Sequence, residues 1–490
     1  MNRFSSVSFF KICAASIVTA LVITSNSHAA SCSKKELAKF DVKKATQLEA
    51  KNFYTCFHKN EIYSVSLPGL ITLVSKSNNP SFQNELLKRA LENVPRKYES
   101  FVFKKLLRKK LLVSPKVSSD LRYFFALQRF DQGKTKSALW HLSKQTGVDF
   151  SRYAQSQFLK AVIMTKLNKT DEAEAIFSEL SKSNYKAINK YVKSRIKSMS
   201  KLNLARIKIE QENYTSAIEN YRDVSFRENE WFDGLVEMSW AMTSRGDYEG
   251  AIGNAGFIEK STSDYIYKPW TSVIESIGLL KICQYPNAKK SVDSFKEDYK
   301  DSRLRTLKYI KKNDNKSWYE FATKILSTRV SKSSVKKIPH LLFYAAKSNV
   351  VVGNQVIIND LIDEETRLEK MKRKLRRSKK SYAYKLIDSR LKTINRNISK
   401  AQQEMGTAFK NKVVSLVKEL SELEKIIDIV DFEIFARSSN SITMRVAGEK
   451  FIDEMKKAGN KEASWNYNGE FWTDEAGRFR SLLKNKCVKD

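Results

Sequence analysis

RGDYEGAI, from Arg245 to Ile252, has the layout of a tight turn between two helices. Gly246 suits the positive φ that closes a helix, and Tyr248 to Ile252 opens a new one. Outward from this turn, Ala251 stands twelve residues after Ser239. The same pairing of small residues recurs as Ala126 with Ala138, Ala161 with Ala173, Ala205 with Ala217, and Ser276 with Ala288. Second members of these pairs lie 35, 44, 34 and 37 residues apart. A period of this size predicts stacked helical hairpins, because one hairpin cannot bury both its faces whereas a stack shares a continuous core. Gly and Pro are scarce, at 15 and 7 residues in 490, as long helices require.

Further positions follow the same period. Gly133 corresponds to Gly246, while Asn168, Glu212 and Cys283 take that place in the other windows. Tyr214, Tyr248 and Tyr285 fall three residues before the second small residue. Leu142, Phe177, Tyr221 and Val292 follow it by four, where Ala255 departs. The combination resembles the tetratricopeptide repeat, a helix-turn-helix unit of about 34 residues. That resemblance implies ligand contacts from the first helix of each hairpin: Tyr123 and Leu127, Phe158 and Val162, Leu202 and Arg206, Val236 and Trp240, Trp270 and Ile277. Trp and Arg are enriched at binding hot spots, although Trp240 equally suits a place between neighbouring repeats. The 44-residue interval implies an insertion near Ser183 to Ser198, and Leu67 to Leu112 reads as further helix.

After Lys300 the pattern changes. Leu304 to Asn349 remains helical and is expected to cap the array. From Ile387 apolar residues alternate in steps of four and three, through Leu391, Ile394, Ile398, Ala401 and Met405, then Phe409, Val413, Leu416, Leu420, Leu423, Ile427, Val430 and Ile434. Leu361, Leu368, Leu375 and Tyr382 keep a step of seven. This is a heptad seam. Gly406 is the expected turn of a hairpin, with a single long helix as the alternative. The fold expected is all-α: a tetratricopeptide-like solenoid of helical hairpins, a coiled-coil helical hairpin and a short C-terminal tail. In residue numbers these are a signal peptide 1–29, an N-terminal helical region 30–119, repeats 120–300, a cap 301–350, a coiled coil 351–440 and a tail 441–490.

The first residues predict export. Arg3 and Lys11 precede an apolar run from Ile12 to Thr24, which at 13 residues is shorter than a membrane span, and Ser27-His28-Ala29 supplies small residues for cleavage after Ala29. Lipidation of Cys32 and an uncleaved anchor are the alternatives. Cleavage takes the net charge from +35 to +33, which favours an anionic partner, although a lysine-rich composition also produces solvated positive faces. The densest cluster is KMKRKLRRSKK, comprising Lys370, Lys372, Arg373, Lys374, Arg376, Arg377, Lys379 and Lys380. It contains no aromatic residue to stack bases, which disfavours single-stranded nucleic acid. Cys32 with Cys56 and Cys283 with Cys487 are the preferred of three pairings.

The tail WNYNGEFWTDEAGRFRSLLKNKC groups Trp465, Tyr467, Phe471 and Trp472 with Glu470, Asp474 and Glu475 around Gly469. It resembles the W-x-F-x-G-E-x-W-x-D-E-L-G-x-Y ending of exported tetratricopeptide proteins of predatory and gliding Gram-negative bacteria. Ala476 replaces its leucine and Phe479 its last tyrosine. The resemblance implies a cell-envelope setting. Carboxylates beside aromatic rings also describe a glycosidase-like site; the other expectation is that the aromatics pack the tail onto the coiled coil, with Cys487 pinning it. His58, His141 and His340 have no metal or triad spacing, and no Gly-rich phosphate loop occurs. No enzyme activity, cofactor or metal is therefore expected. The expected partners are an envelope protein or peptide in the groove, an anionic polymer or membrane surface at the basic cluster, and a second copy through the coiled coil.

Overall fold

The computed structural model describes residues 32–92, 94–95, 98, 103, 106, 111, 113–182, 185–228, 230–261, 268–313, 317–327, 339–439 and 475–487. The expected signal segment, and the tail aromatics from Trp465 to Trp472 with Asp474, lie outside them. The fold is all-α, with helices packed in consecutive pairs. The N-terminal helices are α1 (Lys34–Lys39), α2 (Gln47–Lys59), α3 (Tyr63–Lys76) and α4 (Pro80–Leu91). Five hairpins follow: α5 (Pro115–Asp131) with α6 (Thr135–Ser143), α7 (Tyr153–Lys166) with α8 (Thr170–Lys182), and α9 (Lys190–Glu210) with α10 (Tyr214–Arg222). The fourth and fifth are α11 (Trp231–Ser244) with α12 (Tyr248–Ser261) and α13 (Pro269–Lys281) with α14 (Tyr285–Phe295). A π-helical turn, Lys296–Lys300, leads to α15 (Asp301–Asn313), α16 (Trp318–Ser327) and α17 (His340–Ala346). The last two helices are α18 (Asn349–Lys374) and α19 (Tyr382–Ser439).

All ten small residues of the repeat register are fully buried: Ala126, Ala138, Ala161, Ala173, Ala205, Ala217, Ser239, Ala251, Ser276 and Ala288 each have 0% exposure. They mark where the two helices of a hairpin cross, so that a larger side chain would force them apart. The turns are alike irrespective of residue. Gly133, Asn168, Glu212, Gly246 and Cys283 all take positive φ, between 56° and 83°. In each, the N–H of this residue bonds the carbonyl three back and the next N–H the carbonyl five back, as Gly246 does to Thr243 (3.1 Å) and Asp247 to Met242 (2.9 Å). Those bonds satisfy the carbonyls left open at the end of the first helix, and they hold Asn168, Glu212 and Cys283 in a conformation that costs a non-glycine residue roughly 1 kcal/mol. Glu61, at φ 56°, closes the same turn between α2 and α3, with Ile62 N–H on the Phe57 carbonyl at 2.9 Å. Here Gly69 provides the close crossing, because the Tyr54 ring lies where its Cβ would be. The long interval before α10 arises in part from α9, which has 21 residues where α7 and α11 have 14.

The described chain forms two compact units: residues up to Lys197 with Val352–Met405, and Ser198–Val351 with residues from Gly406 onward. In the first, residues of α18 and α19 pack antiparallel across the turn 375–381. Leu368, Leu375, Ala383, Ile387 and Ile394, each at 0% exposure, join Phe53, Phe57 and Val65 of α2 and α3 in one core. Glu364, 1% exposed, accepts the Ser64 N–H at 2.6 Å and the Tyr98 hydroxyl at 3.0 Å. In the second unit, Phe409, Val413, Leu420, Leu423 and Ile427 are fully buried along α19, and the rings of Trp318 and Phe321 lie 5.8 Å from that of Phe409. These observations correct one expectation. The turn is not at Gly406, which lies within α19; a Cβ there would come 2.9 Å from the Tyr319 nitrogen, so this glycine serves close packing. The heptad residues from Ile387 to Ile434 are buried within the chain, apart from the half-buried Ile398.

Candidate interaction surfaces

Several residues expected to line a ligand groove belong to the core instead. Tyr123, Phe158, Val162 and Leu202 are buried, and Phe158 packs edge-on to Phe177 with ring centres 5.4 Å apart. Leu127, Val236 and Ile277 are half-buried. Arg206 is fully engaged: its Nε and Nη2 donate to Glu237 Oε2 and Oε1 at 2.8 and 2.7 Å, and the Tyr221 hydroxyl donates to the same carboxylate at 2.8 Å. Trp240 lies edge-on to Trp270 at 5.6 Å, and Trp270 Nε1 donates to Glu419 of α19 at 2.5 Å. Arg303 pairs with Glu424 at 2.8 Å, and Lys289 and Lys296 both pair with Asp431. In the second unit α19 thus packs against Trp270, one of the residues expected to contact a ligand.

This packing perturbs the carboxylates. Asp233 is exposed, yet the atoms crowded around it take away part of its hydration; with Glu237 beside it, its pKa rises to about 6 despite Arg206 and Lys412. Glu419 is also raised, mainly by burial, against the hydrogen bond from Trp270. Lys412 lies 5.7 Å from the centre of the Tyr344 ring.

The basic cluster is quite different. Lys372 bonds Asp388 at 2.5 Å, which holds its ammonium above the ordinary lysine value. Lys370, Arg373, Lys374, Arg376, Arg377, Lys379 and Lys380 are exposed and make no ion pair among the described residues. They sit at the turn between α18 and α19. The structure adds a set that the sequence reading missed. Leu37 of α1 shares a core with Leu375 and Ala383, and Phe40 stacks on Phe53 at 3.9 Å and lies 5.8 Å from Tyr382. This brings Lys34, Lys35, Lys39, Lys43 and Lys44 to the same end of the unit, all exposed and without an ion pair. The missed signal was KKELAKFDVKK itself, whose Leu37 and Phe40 are the docking residues of a short basic helix. A second exposed feature is Trp140, 53% exposed beside an open cavity of about 490 Å³ lined also by Lys136, Leu139, Ser143, Leu167 and Lys169.

Disulfides join Cys32 to Cys56 and Cys283 to Cys487, with Cα atoms 5.8 and 5.0 Å apart. The described part of the tail, 475–487, lies on the third to fifth hairpins. Glu475 begins it, and Arg222 Nε donates to the Gly477 carbonyl at 3.1 Å. Among the described residues no cluster of three or more metal-ligating side chains occurs and no helix is long and apolar enough to cross a membrane. Compared with known proteins, the chain matches no family model and no curated protein.

Proposed function

We propose that the protein is an exported, non-catalytic scaffold of the bacterial envelope that engages a partner through the basic face shared by α1 and the turn between α18 and α19. The single observation that carries this reading is the set of twelve exposed cations there with no ion-pairing partner among the described residues. Cations left unpaired keep their field for a ligand, whereas paired ones, such as Arg206, do not. A polyanion fits best: a peptidoglycan-linked polymer or lipopolysaccharide, each of which repeats its charge along a surface.

A second reading, a protein partner held by the helical hairpins in envelope assembly or motility, is supported by Trp140. A largely exposed tryptophan beside an open cavity is a residue type that dominates binding energy when covered. Photo-crosslinking in intact cells separates the two. A crosslinking residue at position 380 is expected to yield polymer adducts by mass spectrometry, and one at position 140 protein adducts. Position 380 without adducts, in a cell where position 140 gives a defined protein, would reverse the order of the two readings.

A further inference from the structure

The tail crosses the hairpins in a channel shaped for it. Gly253 on α12 faces the tail backbone so closely that a Cβ there would lie 2.5 Å from the Arg480 Cα and from the Phe479 carbonyl oxygen. Phe257, one turn further along the same helix face, stacks on Phe479 with centroids 4.7 Å apart and planes 12° apart. Arg480 reaches Asp247 at 2.8 Å and Glu249 at 3.4 Å. Burial pushes the Asp247 carboxyl up, but Arg480 and Arg245 outweigh it and hold the carboxyl below its ordinary value. The tail backbone is held as well. Ser481 N–H donates to the Glu249 carbonyl and Lys486 N–H to the Ile282 carbonyl, both at 2.9 Å, while Gln284 Nε2 donates to the Lys484 carbonyl at 2.7 Å. Backbone hydrogen bonds that give affinity, with side-chain subsites that give selectivity, are how folded domains hold extended peptides.

We propose that this channel is a binding site for an extended segment carrying Phe-Arg, that the chain's own tail is its resident occupant, and that the Cys283–Cys487 disulfide is the latch that excludes other segments of the same chemistry. The inference does not depend on the basic face. Opening the latch takes two electrons. A dithiol reductant gives the Cys283 and Cys487 thiols and becomes a disulfide itself. The tail is then held only by reversible contacts and competes through its effective concentration.

The test uses the full chain with its channel emptied by Phe479→Ala, Arg480→Glu and Cys487→Ser. The probe is a peptide of residues 475–487 whose Cys487 sulfur carries glutathione as a mixed disulfide. Attack by the Cys283 thiolate forms the protein–peptide disulfide, breaks the peptide–glutathione bond and releases glutathione thiolate. The proposal expects this exchange to be at least about tenfold faster than with a peptide bearing Ala at positions 479 and 480, the factor that roughly 1.4 kcal/mol of recognition supplies. Adding Gly253→Val to the emptied chain is expected to erase the difference, and oxidised wild-type protein is expected to take up neither peptide. Equal rates for the two peptides on an emptied chain that keeps the helicity and melting of wild type would overturn the proposal. If the triple variant does not fold, the double variant Phe479→Ala, Cys487→Ser, whose resident tail has lost its stacking ring, takes its place, again with the expected preference for the Phe-Arg peptide and with equal rates as the contrary result.

Discussion

Arg206 and Arg376 are the same residue type in opposite situations. Arg206 is held by two hydrogen bonds to Glu237, a carboxylate that also accepts the Tyr221 hydroxyl, and its side chain is 19% exposed. Arg376 stands in the turn before α19 among exposed cations and makes no ion pair among the described residues. The first is committed to the fold and the second is available. The contrast explains why Arg206 and Trp240 are poor candidates for a partner's hot spot even though their residue types suggest it. Glu237 lies 31 residues beyond Arg206, about one repeat, so this pair joins adjacent hairpins and leaves the cation little field to offer.

The largest expected effect breaks the committed side. Glu237→Ala leaves a largely buried guanidinium without its carboxylate, and it should cost about 3 kcal/mol in chemical denaturation; a loss under about 0.5 kcal/mol would mean the pair is effectively solvent-exposed. Next, Trp270→Phe keeps the ring against Trp240 but removes the donor to the Glu419 carboxylate, with an expected cost of about 1–2 kcal/mol. A pH profile sharpens the same region. The folded pKa of Asp233, about 6, lies above its ordinary value of 3.8, so the folded state retains a proton that the unfolded state releases. Its contribution is therefore undiminished below pH 3.8 and is lost as pH rises through 6. Asp233→Asn should flatten this decline by under about 1 kcal/mol, since the side chain touches water and its charge is screened. A profile identical to wild type would remove Asp233 from the network. The smallest effect belongs to the available side: Arg376→Glu, Arg377→Glu and Lys379→Glu together should shift stability by no more than about 0.5 kcal/mol, because surface changes away from packed features are nearly neutral.

The sequence displayed the hairpins through ten small residues at fixed offsets and a turn position that takes positive φ whether filled by Gly, Asn, Glu or Cys. The α2–α3 hairpin was hidden because Tyr54 stands where the other hairpins place a small residue, and the space is supplied by Gly69 instead. Gly406 misled for a related reason: a glycine signals either a turn or a close contact, and only the neighbouring Tyr319 backbone distinguishes them. At the candidate surface, the cluster from Lys370 to Lys380 was legible as charge. Its extension by α1 was not, since the two stretches are more than three hundred residues apart and meet only through Leu37, Phe40 and Tyr382. The tail motif pointed to packing, but the docking of the described residues 475–487 on the hairpins depends on Gly253 and Phe257, which carry no signal of their own in a helix.

The central claim is that unpaired charge at one end of the first unit is the binding surface, and it is tested most directly by measuring affinity for purified anionic envelope polymer at two salt concentrations. Wild-type affinity should fall by about tenfold or more between low and physiological salt, as screening of exposed charges requires. The Arg376→Glu, Arg377→Glu, Lys379→Glu protein, folded as well as wild type, should show little binding at either. Equal affinity and equal salt dependence for the two proteins would contradict the account.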